Sequence, residues 1–137
     1  MTVVIDASAI GPYLLADEQE HLLPGLDGAL TETGVVVPAH WHVEVANLLL
    51  VASRRGRLDE ASRAEAVQTL SCALVNVDQR TAEQALARSW TLAKAYRLTI
   101  YDAAYLELAQ RGGMPLATND DALLRAAIAE NVKLFGR

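Results

Sequence analysis

Four carboxylates in widely separated segments of the chain have the chemistry of a divalent-metal site. They are Asp6, Glu44, Asp102 and Asp120. Mg²⁺ and Mn²⁺ are hard ions that take oxygen ligands, and Mg²⁺ keeps several of its waters. No His and Cys residues have the sequence spacing of a zinc site that would compete with this interpretation. A carboxylate-only cluster points to phosphoryl chemistry.

The reaction that such a cluster supports is hydrolysis of a phosphodiester. Two divalent ions roughly 3.5–4 Å apart can activate a water and stabilise the leaving oxygen. We expect Asp6 and Asp102 to be the central metal ligands, with Glu44 completing one metal shell or positioning the attacking water. Asp120 would hold a second metal or act through a bound water. The sequence leaves one-metal and two-metal mechanisms open.

Short apolar runs alternate with longer segments of helical period, which predicts an α/β domain with a parallel sheet covered by helices on both faces. The strands are predicted at Val3–Ile5, Val35–Val37, Leu74–Val77 and Pro115–Ala117, with a short last strand at Val132–Phe135. Sites in open parallel sheets form at the carboxyl ends of the strands. Asp6 directly follows the first strand, and Asp120 comes three residues after Ala117. The acids are therefore expected to meet at this edge.

Apolar side chains repeat at intervals of three and four residues in the segments predicted to be helical. These segments are Trp41–Ala52, Ala82–Ala95, Ala103–Ala109 and Ala122–Ala129. Glu44 is expected about two turns into the helix that follows the second strand, and Asp102 opens the helix before the fourth. A turn around Gly56 separates two helices. The segment Asp17–Gly34, which proline and glycine interrupt, is expected to hold a short helix flanked by loops.

Each acid also has a structural explanation that the sequence leaves open. Asp6 could end its strand and cap the next helix, and Glu44 could be a solvated helix residue. A lone carboxylate among apolar neighbours such as those of Glu44 is costly without a partner, however. Asp102 suits the N-cap of the helix that it precedes, and Asp120 has the same ambiguity at the last long helix. Their common location favours a site.

Neighbouring polar residues have weaker claims. If Thr118 caps the last helix, Asp121 falls at the third helical position, from which an acid reaches back to the capping amide. His40 and Glu44 could share a helix face as a zinc pair, but no further ligand is evident, and a surface or helix-start role is expected for His40. Asn47, one turn beyond Glu44, could orient it, bind metal through water, or simply be polar decoration.

The composition is that of one compact domain, which we place at residues 1–137. Apolar residues make up 52% of the chain and the formal net charge is −5. That charge counts against a nucleic-acid binder, although bound cations and a basic cluster would offset it locally. The cluster consists of Arg54, Arg55, Arg57 and Arg63. Cys72 is expected to be a buried thiol, and without a signal-peptide or membrane-length apolar run we expect a cytoplasmic protein that does not span a membrane.

The segments that contain the four acids resemble the motifs of the PIN domain family. "VVIDASAI" resembles the first acidic motif, and "VVVPAHWHVEVANLLL" resembles the second, with Glu-x-x-Asn after an aromatic residue. "LTIYDAAYLELA" is very close to the third and most specific motif, and "PLATNDDALLRAA" resembles the fourth. The motifs come in family order and cover nearly the whole chain. The length is similar to that of the VapC branch, the toxins of type II toxin–antitoxin pairs.

The resemblance implies a three-layer α/β/α PIN fold and an endoribonuclease that depends on Mg²⁺ or Mn²⁺. It also implies an RNA substrate, a small VapB-like antitoxin whose tail occupies the active site, and a homodimer. The residues that match the family's metal-binding acids are Asp6, Glu44, Asp102 and Asp120. Ser8 and Thr118 match polar positions that support the site, and Asn47 matches a position beside it. Gly11 and Pro12 depart from the aliphatic residues common in the first helix, which leaves the start of that helix open.

Two other functions fit parts of the pattern. A phosphatase with Asp6 as its nucleophile would need a second aspartate two residues later, where this chain has Ser8. A catalytically silent PIN fold that only binds RNA or protein would not need all four acids, and a metal-dependent cleavage assay separates it from an enzyme. No glycine-rich phosphate-binding motif follows the first strand, so the dinucleotide-binding and P-loop classes are excluded.

Overall fold

The short valine-rich runs build a single sheet. In a computed structural model that describes residues 2–137, four strands form a parallel sheet in the order β3-β2-β1-β4. They are β1 (Val3–Ile5), β2 (Val35–Val37), β3 (Val75–Val77) and β4 (Leu116–Ala117). Because every pairing is parallel, the four carboxyl ends share one edge. The predicted α/β class is confirmed.

Helices flank this sheet. They are α1 (Ala7–Leu14), α2 (Leu26–Gly28), α3 (Trp41–Arg54), α4 (Glu60–Cys72), α5 (Thr81–Ala85), α6 (Arg88–Tyr96), α7 (Ile100–Gly112) and α8 (Asp121–Ala129). A 3-10 helix (Ala16–His21) and a π-helix (Ala29–Thr33) flank α2, so the segment Asp17–Gly34 is more helical than predicted. Across residues 2–137, none of the helices has both the length and the apolar character that a bilayer crossing requires.

The core lies where β1 and α7 meet. Strand β1 lies between β2 and β4, and its side chains are buried on both faces of the sheet, which explains why the strand is a continuous apolar run. Every side chain from Ala103 to Ala109 of α7 is buried as well. A helix fixed this firmly is a rigid support for the side chains near its start, including Asp102.

The predicted strand boundaries need small corrections. Leu74 and Pro115 lie just outside β3 and β4. The predicted last strand Val132–Phe135 does not form. Leu134 makes an isolated parallel bridge to Leu116. A single residue pair is not a ladder, so this segment does not count as a strand.

The single helix predicted over Ala82–Ala95 is wrong, because the segment forms α5 and α6. The two residues between them leave the helical path, and Ala87 has φ −119° and ψ −106°. The two helices are tied to different partners. Thr81 at the start of α5 accepts a hydrogen bond from Ala39 N (3.0 Å), whereas Arg88 at the start of α6 donates to a glutamine side chain of α7 (3.0 Å).

Helix α1 begins at Ala7 and runs through Gly11 and Pro12, so neither residue displaces its start. Both are buried. A Cβ on Gly11 would lie 3.2 Å from Leu48 Cδ1 of α3. Glycine therefore permits the close approach of α1 to the helix that bears Glu44.

The prediction that Cys72 is buried is wrong. The thiol is exposed at the end of α4. This helix buries only Ala66, so the apolar neighbours of Cys72 in sequence do not produce a buried position.

Candidate active site

The four predicted acids lie at the carboxyl edge of the sheet or in the first turns of helices near it. Asp6 follows β1, Asp120 precedes α8, and Glu44 and Asp102 lie in the first turns of α3 and α7. Glu44 was predicted about two turns into its helix, but α3 starts only at Trp41. The charges of Glu44 and Asp120 act on Asp6, and those of all three act on Asp102. The acids thus form one electrostatic cluster.

Asp6 is the most deeply placed of these acids, with only 3% of its surface exposed. Its Oδ2 accepts hydrogen bonds from Ser8 Oγ (2.6 Å) and Thr118 Oγ1 (2.7 Å). Burial raises the pKa of Asp6, the two hydroxyls lower it, and the charges of Glu44 and Asp120 raise it again. The net pKa is above the usual value. Ionised Asp6 is therefore held in place at a cost in free energy.

The two hydroxyls that bind Asp6 also bind the loop between β4 and α8. Ser8 Oγ accepts from Asn119 N (2.9 Å), and Thr118 Oγ1 accepts from Asp120 N (3.0 Å). Each hydroxyl donates its one proton to Asp6, and its oxygen lone pairs accept a hydrogen bond from a backbone N–H. Asp6 and Asp120 are consequently parts of one hydrogen-bonded unit, and the predicted supporting positions Ser8 and Thr118 lie at its centre.

Asn119 links this hydrogen-bonded unit to α1, where a proline leaves one backbone carbonyl without its helical donor. Pro12 has no backbone N–H, so the carbonyl of Ser8 lacks its helical donor. Asn119 Nδ2 donates to that carbonyl (3.3 Å) and to the carbonyl of His21 (3.1 Å). Its Oδ1 accepts from Arg137 Nη2 (2.8 Å). The proline that departs from the family pattern thus leaves an acceptor that fastens the β4–α8 loop to α1.

Glu44 is held by donors from two helices. Its Oε1 accepts from the hydroxyl of Tyr105 on α7 (2.6 Å) and lies 3.2 Å from Nε2 of His40. Burial raises the pKa of Glu44, but the hydrogen bonds from His40 and Tyr105 outweigh it, so the net pKa is below the usual value. Burial and the bond to Glu44 raise the pKa of Tyr105. The phenol therefore remains a donor at neutral pH.

Asp102 does not cap α7, so the structural alternative that the sequence left open for it is excluded. The helix begins at Ile100, and the side chain of Thr99 caps it by accepting from Asp102 N (3.1 Å). Asp102 is thus the third helical residue, and its own carboxylate is not used as a cap. Burial, followed by the charges of the other three acids, raises the pKa of Asp102 to about 6.

Asp120, rather than Thr118, is the N-cap of α8. Its Oδ2 accepts from Leu123 N (2.8 Å). Asp121 is therefore the first helical residue, and the prediction that it reaches back from the third position is wrong. Asp120 therefore caps a helix and also belongs to the acidic cluster. Its role as a metal ligand stays a prediction.

Three of the acids share one arrangement. One carboxylate oxygen is held by donors of the chain, and the other receives no hydrogen bond from residues 2–137. The held oxygens are Asp6 Oδ2, Glu44 Oε1 and Asp120 Oδ2. Over the same residues, no three His, Cys, Asp or Glu side chains form a ready-made metal shell. The acids are therefore close and have fixed orientations, but their oxygens do not converge on one point. Mutual repulsion between carboxylates favours this separation.

The sequence patterns do not single out Tyr105, Asn119 or Thr99. Tyr105 stands in an apolar helix and looks like a core residue. Its one signal is its spacing of three residues from Asp102, which places both on one helical face. Asn47 is exposed, and none of the described residues hydrogen-bonds to its side chain. Its supporting role remains a prediction.

The sequence and the fold have known counterparts. The sequence profile of the PIN domain matches residues 3–129. The chain belongs to the PIN domain family. It is 36% identical over 124 residues to Ribonuclease VapC3 of Mycobacterium tuberculosis, covering 90% of this chain and 86% of that protein. It is 30% identical over 123 residues to Ribonuclease VapC3 of Pyrobaculum aerophilum, covering 90% and 92%.

Two solved structures have the same fold. The crystal structure of PAE2754 from Pyrobaculum aerophilum matches with a TM-score of 0.66 and 26% identity, over 92% of this chain and 87% of that one. VapC20 of Mycobacterium tuberculosis, described as a sarcin-ricin loop cleaving toxin, matches with a TM-score of 0.62 and 18% identity, over 90% and 94%. The expected PIN fold is confirmed.

Proposed function

We propose that this chain is an endoribonuclease that hydrolyses RNA phosphodiester bonds with the help of Mg²⁺ or Mn²⁺, and that it is the toxin of a VapC-type toxin–antitoxin pair. The observation that carries the proposal is the cluster of four carboxylates. In three of them the chain hydrogen-bonds to one oxygen and leaves the other available to a ligand. The likeness to two proteins named Ribonuclease VapC3 supports RNA as the substrate.

The donor set fits a hard divalent cation. The residues that would hold it are Asp6, Glu44, Asp102 and Asp120, which offer oxygen alone. Burial and the neighbouring acids raise the pKa values of Asp6 and Asp102, so a cation would relieve a repulsion that the fold imposes. When bound, such ions activate a water and stabilise negative charge on the leaving oxygen.

The contribution of the chain itself is to orient the acids before any substrate arrives. Ser8 and Thr118 tie Asp6 to the loop that bears Asp120, so these two acids keep a fixed relation. Asp102, with a pKa of about 6, is mostly ionised at neutral pH. Pre-oriented carboxylates avoid the reorganisation that would otherwise slow the reaction.

The proposed partners follow from the same assignment. A small VapB-like antitoxin would inhibit cleavage, and a second copy of the chain would form a homodimer. Exposed apolar side chains support an interface, since Leu86 and Trp90 are 86% and 56% exposed and such surfaces mark contacts between proteins. If the purified chain has only the mass of a monomer in solution, the proposed homodimer is contradicted.

Expression in a bacterial host tests the toxin assignment. Wild-type protein should arrest growth, and Asp102→Asn should relieve the arrest because it removes a proposed metal ligand. Asp121→Asn, an exposed acid at the start of α8, is the matched control and should remain toxic. Harmless wild-type protein, or full toxicity of soluble Asp102→Asn, would favour the alternative of a catalytically silent binding module.

A further inference from the structure

Tyr105 connects two of the helices that bear acids. Its side chain is completely buried in α7, and its hydroxyl donates to Glu44 Oε1 of α3 at 2.6 Å. We propose that Tyr105 is a positioning residue that fixes Glu44 for the divalent cation, an inference that rests on the proposed function. It touches neither the RNA nor the cation and acts through Glu44.

The placement of Tyr105 follows from the helix that carries it. A buried phenol needs a hydrogen-bond partner, and the only side-chain or backbone acceptor that it uses among the described residues is Glu44. Asp102 lies one turn earlier on the same face of α7. One rigid helix thus supplies an acid of the cluster and the donor that orients another.

The second donor to Glu44 divides its N–H between two acceptors. His40 Nε2 lies 3.2 Å from Glu44 Oε1 and 3.1 Å from the backbone carbonyl of Tyr101. Both neighbours are acceptors, so one N–H is shared between them. Tyr105 gives its whole proton to Glu44 over a shorter distance. Since the Glu44 side chain is 33% exposed, loss of the phenol hydroxyl would let the carboxylate turn towards solvent.

Tyr101 offers a matched control on the same helix. Its ring also packs edge-on against His40, with centroids 5.5 Å apart, compared with 5.2 Å for Tyr105. It is 61% exposed, and its hydroxyl makes no hydrogen bond with residues 2–137. Tyr101→Phe removes the same atom from the same neighbourhood without affecting Glu44.

The test is Mn²⁺ affinity, measured by calorimetry without RNA, for wild type, Tyr105→Phe, Tyr101→Phe, Glu44→Gln and the double variant Tyr105→Phe/Glu44→Gln. Tyr105→Phe should weaken Mn²⁺ binding by about 10-fold or more, the usual effect of losing a partner of a metal ligand. Tyr101→Phe should bind as wild type does. In the Glu44→Gln background, Tyr105→Phe should cause no further loss.

Each other outcome has one meaning. Wild-type affinity in Tyr105→Phe, or an equal loss in both backgrounds, overturns the positioning role. Absence of Mn²⁺ binding by folded wild type overturns the proposed function itself. Should Tyr105→Phe fail to fold, Glu44→Asp serves instead, because it keeps the charge but withdraws the carboxylate from the phenol. It should show a similar loss of affinity, and full affinity would contradict the proposal.

Discussion

At the scale of single residues, hydrogen bonds from hydroxyl groups and backbone amides orient three of the four acids. Ser8 and Thr118 each donate to Asp6 and accept from the loop that carries Asp120. This division of donors and acceptors explains why Ser8, two residues after Asp6, and Thr118, two residues before Asp120, lie between these two acids. Substituting one acid at a time therefore tests the role of each acid separately.

Asp6→Asn should leave the metal-free protein as stable as wild type at pH 7, or more stable by about 1 kcal/mol, the scale of a one-unit pKa shift. The amide oxygen can still accept from Ser8 and Thr118. Since the folded pKa of Asp6 lies above its unfolded value, its ionisation costs stability at pH 7. That cost disappears once the pH falls below the unfolded pKa of about 3.9.

Urea unfolding in EDTA at pH 7 and at about pH 3, below the unfolded pKa, measures this difference. The advantage of Asp6→Asn should be present at the higher pH and absent at the lower one. A marked loss of stability at pH 7 would show that the Asp6 carboxylate is mainly structural.

Asp120 and Asp121 provide a second comparison. Asp120→Asn keeps the N-cap, because Asn caps as well as Asp, but should lower cleavage strongly by removing a metal ligand. Asp121→Asn should keep most activity and lose about 0.5 kcal/mol through the helix dipole. Cleavage rates and melting curves for both variants decide the matter. If Asp121→Asn is the inactive variant, the fourth acid is misassigned by one residue.

At the scale of elements, the sequence pattern predicted the four strands of the sheet and the helices α3, α7 and α8, whereas tertiary contacts set their details. The apolar repeat continues through Ala87, so only the separate anchors of α5 and α6 reveal the break there. Thr99 and Asp102 are both good caps by type, and the sequence alone does not choose between them. Tyr105 and Asn119 act across more than sixty and one hundred residues, respectively, and such partners leave no local pattern.

One connection between elements is a strong candidate for stabilising the fold. Arg111 on α7 donates to Asp78 after β3 (2.7 Å) and to Glu107 (2.7 Å), and the Glu107 side chain is only 4% exposed. Arg111→Met would leave Glu107 buried without its partner. We expect a loss of about 2–3 kcal/mol, somewhat below the range for a fully buried pair because Arg111 keeps some exposure.

Urea unfolding at pH 7 measures this loss. Arg80→Met is the matched control, since Arg80 pairs with Glu83 on the exposed surface and such pairs contribute little. Equal stabilities of the two variants would show that the Arg111 network does not stabilise the link between α7 and β3.

At the scale of the whole molecule, an acidic protein is proposed to act on a polyanion. The formal net charge is −5, and several arginines are already paired within the chain. Arg57 binds Asp17 and Glu18, so the basic cluster noted in the sequence is partly neutralised. Bound cations at the acidic edge would therefore supply much of the local positive charge that RNA phosphates need.

The most direct measurement of the central claim is RNA cleavage by purified protein in Mn²⁺ or Mg²⁺, in excess EDTA, and after the metal is restored. The protein should cut RNA with metal, stop in EDTA and resume when metal is added, because carboxylates alone supply no positive charge to stabilise the leaving oxygen. Asp6→Asn, purified in parallel, controls for contaminating nucleases and should be inactive throughout. Undiminished cleavage by wild type in excess EDTA, with the Asp6→Asn preparation silent, would contradict a metal-dependent ribonuclease.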